Sequence, residues 1–285
     1  MKSRFKKFLW ASWERVAKFA VRPYYVGPEL EDALEVCRRI TTAHVATTLC
    51  YWKTEDATPQ DVAAAYIRAM EALKEEKGNA YLSIKAPDFQ FDRTCFSQIL
   101  ESSRKNGVQL HFDSLGPETA DATMMLVAEA LPQHPGIGIT LPGRWRRSMA
   151  DADRAVERKL SVRVVKGQWA DGVKSDMDAR EGFLAVIDRL AGRARYVAVA
   201  THDPSLAQEA LERLLKTRTP CGVELLYGLP VKPVLQVART AGVGVRLYLP
   251  YGHGWLPYSI SQVYDNPRIL WWVIRDLCGK RSVFE

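Results

Sequence analysis

The chain has 285 residues, enough for one large α/β domain, and its 47% apolar content is that of an ordinary globular protein. The formal charge is +7, but the Lys and Arg residues are spread along the whole chain, which argues against a dedicated nucleic-acid surface. Five cysteines (Cys37, Cys50, Cys95, Cys221, Cys278) lie far apart with no CxxC pair, which excludes a zinc ribbon and a full disulfide framework and suits a reducing cytoplasm.

The N-terminal stretch MKSRFKKFLWASWERVAKFAV intersperses Arg and Lys among apolar residues, so it is neither a signal peptide nor a spanning helix. Its spacing predicts an amphipathic helix with Phe5, Phe8, Leu9, Trp13, Val16 and Phe19 on one side, packed on the body of the protein. Peripheral contact with a membrane is the minority reading of the same helix. Residues 1–42 are read as a helical extension and 43–285 as the catalytic-type domain.

From residue 43 the chain alternates. AHVATTLC, AYLSIKA, VQLHFD, GIGITL, SVRVVKG, RYVAVAT, PCGVELLYG and VGVRLYLP are short, apolar or alternating, and rich in β-branched residues, which predicts eight strands. Helical patterns fill the intervals at 59–76, 92–106, 118–131, 150–159, 177–191, 204–216 and 231–241. Thr58 before Pro59 and Asp203 before Pro204 read as helix starts, and Gly78, Gly107 and Gly242 as helix ends. Eightfold strand–helix alternation within about 240 residues predicts a (β/α)8 TIM-type barrel. A doubly wound sheet fits less well, because GIGITLPG lies mid-chain with the wrong spacing for a dinucleotide loop. The last strand runs through an aromatic loop into another helical pattern, where Tyr258, Ser261 and Gln262 fall in the first turn, facing the strand end.

In a barrel, chemistry gathers at the C-terminal strand ends. There the sequence places Lys85, Asp113, Lys166 with Arg163 three residues before it, and Thr201 and His202, while Glu224 lies within the seventh strand. Arg163 and Lys166 differ in strand parity, so one can point into the barrel while the other leaves the strand end. Lys85 has Asp113 within reach if their strands are neighbours. His253, in a glycine loop, reads as a surface residue.

SVRVVKGQW, YVAVATHDP, VELLYG and VRLYLPYGHGWLPY, in that order, resemble the signature strands of the proline dehydrogenase family, FAD-binding (β/α)8 barrels. The resemblance runs from about Ala43 to Leu277. It implies that Arg163 lies against the flavin. Lys166, Gly167, Gln168 and Trp169 would hold the ribityl and diphosphate part of FAD, and Thr201 and His202 would contact its adenosine end. Lys85 and Asp113 match the lysine and aspartate on the substrate side, Tyr258 matches a tyrosine packed on the substrate, and Glu224 aligns with a polar residue of the seventh strand. Thr140 is the nearest polar candidate where the family carries a flavin-contacting glutamine.

Ser261 and Gln262 stand where the resemblance implies two arginines gripping the carboxylate of proline. Loss of one charge-assisted contact costs about 1.5 to 3 kcal/mol, and uncharged donors do not replace a bidentate pair. Arg144, Arg146 and Arg147 follow the fourth strand; Arg144 is the first choice for a relocated carboxylate contact, although exposure at a helix start is the simpler reading of the three. The implied activity is oxidation of a carbon–nitrogen single bond of a proline-like or other secondary amine to an imine, by hydride transfer to flavin N5, with a quinone or other electron acceptor. The alternatives are an authentic L-proline dehydrogenase with a relocated clamp and a catalytically silent flavin- or ligand-binding barrel. No metal site is expected.

Overall fold

The structure, a computed structural model, describes residues 26–43, 45–76, 79–172 and 177–254. The stretch predicted as an N-terminal amphipathic helix, Gly78, Tyr258, Ser261, Gln262, Cys278 and the helical pattern beyond the last strand lie outside the described residues.

Eight parallel strands close into a barrel in sequence order: β1 (Ala46–Tyr51), β2 (Ala80–Ile84), β3 (Leu110–Phe112), β4 (Gly138–Pro142), β5 (Ser161–Val165), β6 (Tyr196–Ala200), β7 (Cys221–Leu226) and β8 (Gly244–Tyr251). β8 returns to β1 with Thr48 opposite Tyr248 and Cys50 opposite Pro250. All eight predicted strands are present, and the fold is the (β/α)8 barrel that the alternation predicts.

The helices are α1 (Leu30–Thr41), α2 (Pro59–Glu75), α3 (Arg93–Asn106), α4 (Ala120–Ala130), α5 (Ser148–Glu157), α6 (Ala179–Leu190), α7 (Pro204–Lys216) and α8 (Lys232–Ala241). Their ends follow the local chemistry. Thr58 forms a capping box with Asp61 at the start of α2, and Asp203 accepts the Leu206 N–H ahead of Pro204 in α7. Gly107 closes α3 at φ +68°. Two predicted helices differ at their starts: a short 3-10 turn, Pro117–Thr119, precedes α4, and α5 begins at Ser148, whose hydroxyl donates to the Pro142 carbonyl.

Helix α1 was not among the individually predicted helices. Its capping box joins Glu29 and Asp32, and its buried residues Ala33, Leu34, Cys37 and Ile40 join the apolar core beside β1 and β8.

The core lies between strands and helices. Leu49, Leu82, Ile84, Phe112, Val162, Val164, Val197, Val199, Val223, Leu225, Leu247 and Leu249 are essentially inaccessible and belong to that shell. With a period of two, the alternate positions face the barrel axis, and there the sequence is polar: Thr48, Ser83, His111, Asp113, Arg163 and Glu224 are buried.

Candidate active site

Arg163 is the hub of the barrel interior, 4% exposed. Its Nε and Nη2 donate in parallel to Glu224 at 2.9 and 2.7 Å, the planar fork matching the carboxylate. Nη1 donates to Asp113 Oδ1 at 2.5 Å and to Thr140 Oγ1 at 3.3 Å, and Nη2 also reaches the Tyr81 hydroxyl at 3.1 Å. All five guanidinium N–H groups thus have an acceptor. Glu224 in turn accepts from Thr48 and Tyr81, both at 2.8 Å. Burial alone would raise the Glu224 carboxyl, but Arg163 more than offsets it, so the group stays ionised.

Asp113 accepts from Ser83 and Tyr248, each at 2.7 Å, as well as from Arg163. Burial pushes its carboxyl up, while Arg163 and then Lys85 pull it down further, to about 2. Lys85 does not pair with Asp113 directly. Its Nζ donates to Cys50 Sγ at 2.7 Å and to the Tyr51 carbonyl at 2.9 Å, and it sits 4.3 Å from the centre of the Trp52 ring. Cys50 Sγ lies 3.5 Å from Asp113 Oδ2, so the thiol stands between the two charges. Burial pushes that thiol up to about 12, and it remains protonated. Burial also presses the Lys85 ammonium down, but Cys50 and the Asp113 carboxylate hold it above the ordinary lysine value. Lys85, Arg163, Asp113 and Glu224 therefore form two cations and two anions within one connected set.

The other sequence-derived positions occupy the open strand ends. Lys166 is half-exposed, with Nζ 3.4 Å from Asp203, and Arg180 approaches the same carboxylate at 3.8 Å. Gly167 has φ +96°, and a Cβ there would stand 2.8 Å from Pro142 Cβ, so only glycine lets the chain turn past β4. Arg144 donates to the Gln168 carbonyl at 2.8 Å, the Trp145 indole donates to the Trp169 carbonyl, and the Trp169 side chain is exposed. Arg147 is held by Asp121 and Asp151, and the Arg146 N–H donates to Asp171.

Thr201 is buried, and its hydroxyl accepts the Asp203 N–H. His202 has both ring nitrogens engaged: Nδ1 donates to the Pro230 carbonyl, and Nε2 accepts the Leu226 N–H at 2.9 Å. That fixes a neutral tautomer, and burial lowers its basicity further. His253 is exposed, 3.8 Å from Glu29.

Sequence reading missed Cys50, Thr48, Tyr81, Ser83, Trp52 and Tyr248 as members of the site. Strand parity could have found Ser83 and Tyr81, two and four residues before Lys85. Nothing local marks Cys50, which arrives from β1, distant in sequence.

Polar groups at the axis and cations at the C-terminal strand ends define a TIM-type barrel with its chemistry on one pole. Proline dehydrogenase 1 of Bacillus subtilis (strain 168) is 20% identical over 279 residues, covering 92% of each chain. The proline dehydrogenase of Deinococcus radiodurans is 23% identical over 279 residues, covering 89% of this chain and 88% of its own. Among solved structures, proline utilization A from Bdellovibrio bacteriovorus inactivated by N-propargylglycine superposes with a TM-score of 0.75 at 16% identity, over 87% of this chain. Proline utilization A from Corynebacterium freiburgense gives 0.68 at 17% identity, over 96% of this chain. The chain spans about a third of those two proteins, 32% and 34% of their lengths. No family model matches it. In sequence the chain is similar to these proline dehydrogenases over about nine-tenths of its length, and its barrel has the fold of the matching part of the two proline utilization A structures.

Proposed function

We propose that the chain is an FAD-dependent oxidoreductase of the proline dehydrogenase type, which oxidises the carbon–nitrogen single bond of a proline-like or other secondary amine to an imine. The observation that carries this reading is the buried set Lys85, Cys50, Asp113 and Arg163. It joins the lysine and aspartate that the resemblance assigns to substrate to the arginine it assigns to the flavin side.

The residues at the end of β5 fit such a cofactor. Arg180 is held by Glu209 at 2.7 Å and only approaches Asp203, at 3.8 Å, whereas Lys166 has a single long ion pair among the described residues, to Asp203 at 3.4 Å, which leaves its charge available to a phosphate. Gly167 permits close backbone approach, and Trp169 exposes a flat ring. Lys166, Gly167, Gln168 and Trp169 would hold the ribityl and diphosphate part, and Thr201 the adenosine end. His202 fits less well through its nitrogens, which the backbone already occupies. When bound, FAD would supply the hydride acceptor at flavin N5, with a quinone or another acceptor removing the electrons.

The protein's own groups set the proton chemistry. Lys85 is cationic and Asp113 is saturated with donors, so neither is a competent base at neutral pH. A fixed cation beside the amine instead lowers the amine's own pKa and favours the neutral form that can lose hydride. The N–H proton then leaves to water. Arg144, turned toward the end of β5, together with Ser261 and Gln262, is the proposed contact for the rest of the substrate.

The test is the visible spectrum of the purified protein, followed by anaerobic addition of proline and of a carboxyl-blocked proline. A flavin band bleached by either compound supports the reading, and the choice between them identifies the substrate class. A protein that holds no flavin after incubation with FAD, or whose flavin no amine reduces, overturns it. No described helix is long and apolar enough to cross a membrane.

A further inference from the structure

At the opposite pole, between the beginnings of the strands, lies a cavity of about 230 Å³. Barrel interiors are ordinarily filled at each level by bulky branched side chains. Here the axis-facing positions include Gly138 in β4, over which the His111 ring lies, and Ala198 in β6, so the level holds one imidazole and a methyl group where branched side chains would stand. We propose that this cavity is a second binding site, for a small planar carboxylate anchored by Arg246.

The charge argument starts from Arg246, which lies half-buried on the cavity wall. Its Nη1 and Nη2 donate to the carbonyls of Thr47 and Asn79 and to Asn79 Oδ1, all neutral acceptors. Among the described residues it has no carboxylate within ion-pair distance, and its Nε makes no hydrogen bond. Glu224 is its cross-strand neighbour, but both Glu224 oxygens are taken by Arg163, Thr48 and Tyr81. A second cation stands at the rim: Arg195 Nη2 is 3.5 Å from where a Cβ on the cavity-lining Gly136 would be. His111, on the same wall, adds no positive charge, because burial and then Arg163 push its imidazole down to about 3.

The shape argument comes from the rings. Tyr81 and His111 stack with centroids 5.6 Å apart, and the Arg246 guanidinium covers the Tyr81 face at 4.1 Å. Tyr196 supplies a third aromatic wall. Flat surfaces select a flat ligand. An apolar cavity of about 150 Å³ accepts benzene, so this volume suits about nine or ten non-hydrogen atoms. Benzoate has that size, that flatness and the missing charge. Tyr81 also donates to Glu224, so the cavity wall and the Arg163 hub share a side chain.

The experiment measures heats of binding of benzoate, and of its neutral isostere benzamide, to the full chain and to the variants Arg246→Met and Ala198→Leu, with folding checked by circular dichroism. Saturable benzoate binding in the millimolar range or tighter is expected, about tenfold or more tighter than benzamide, the discrimination of one charge-assisted contact. Arg246→Met should erase that preference, and Ala198→Leu, which narrows the cavity from the β6 side and retains Arg246, should block both probes. Equal affinity for the two probes, no saturable binding, or benzoate binding undiminished in folded Ala198→Leu protein would each overturn the assignment. The last result would place the anion elsewhere on the barrel. Should Arg246→Met fail to fold, the Ala198→Leu comparison decides alone.

Discussion

Lys85 Nζ stands 2.7 Å from Cys50 Sγ, so the nearest side-chain partner of this buried ammonium is a thiol rather than a carboxylate. The thiol is a weak acceptor that still fixes where the charge sits. Cys50→Ala should lower kcat/KM for amine oxidation about tenfold, the equivalent of one hydrogen bond, and Cys50→Ser should restore most of it. Steady-state rates with the substrate found in the spectral titration check this, and an unaltered Cys50→Ala enzyme would refute the positioning role.

The same burial makes Cys50 chemically silent. A thiol that titrates near 12 and has no accessible surface offers no thiolate to a disulfide reagent. Among the described cysteines, partly accessible Cys221 should react first with such a reagent and Cys50 only on unfolding. Peptide mapping after timed alkylation distinguishes the two, and rapid labelling of Cys50 in native protein would contradict the geometry.

Glu224→Gln should be strongly destabilising. It leaves Arg163 buried with one of its two carboxylate partners neutralised, and breaking a buried pair from one side costs about 3 to 5 kcal/mol. Urea unfolding should show a lower midpoint at unchanged slope. A loss below about 1 kcal/mol would mean that the interior admits water readily.

Acid should weaken the barrel in a defined window. Asp113 titrates near 2 in the folded protein against an ordinary value of 3.8. Its contribution, about 2 kcal/mol, is therefore complete above about pH 4 and is lost as the pH falls toward 2. Glu224 is shifted in the same direction. Unfolding free energies measured from pH 5 to pH 2 should fall less steeply in Asp113→Asn than in the parent; parallel curves would exclude Asp113 as a source of the slope.

Lys166→Ala should weaken FAD retention about tenfold or more without unfolding the chain, because the side chain is half-exposed and its one ion pair is long. Flavin fluorescence on dilution reports the change. Unchanged affinity would move the phosphates away from the end of β5.

The barrel was legible because strand and helix periodicities repeat eight times and the caps at Thr58 and Asp203 are local signals. Strand parity separates Arg163 from Lys166, and the structure shows that Arg163 is the one that turns inward. What parity could not supply was the partner. Lys85 and Asp113 were paired on paper because β2 and β3 are neighbours, yet Cys50 from β1 stands between them and Arg163 from β5 binds the aspartate. Such contacts cross the axis and depend on side-chain length, which no run of adjacent residues encodes. Helix α1 is a different kind of omission. Its Glu29–Asp32 capping box and the Leu30, Leu34 and Cys37 spacing are local signals, but the aromatic stretch before it carries the stronger amphipathic pattern.

The apolar core of this barrel is a sleeve rather than a plug: branched side chains fill the annulus between strands and helices, and the axis carries polar groups tied to one another. Adhesion and chemistry thus draw on opposite parities of the same strands. A change at an axis position alters what the barrel can hold while the outward-facing residues keep it closed. Divergence to one identical residue in five from the proline dehydrogenases can accordingly rewrite the lumen with its walls standing.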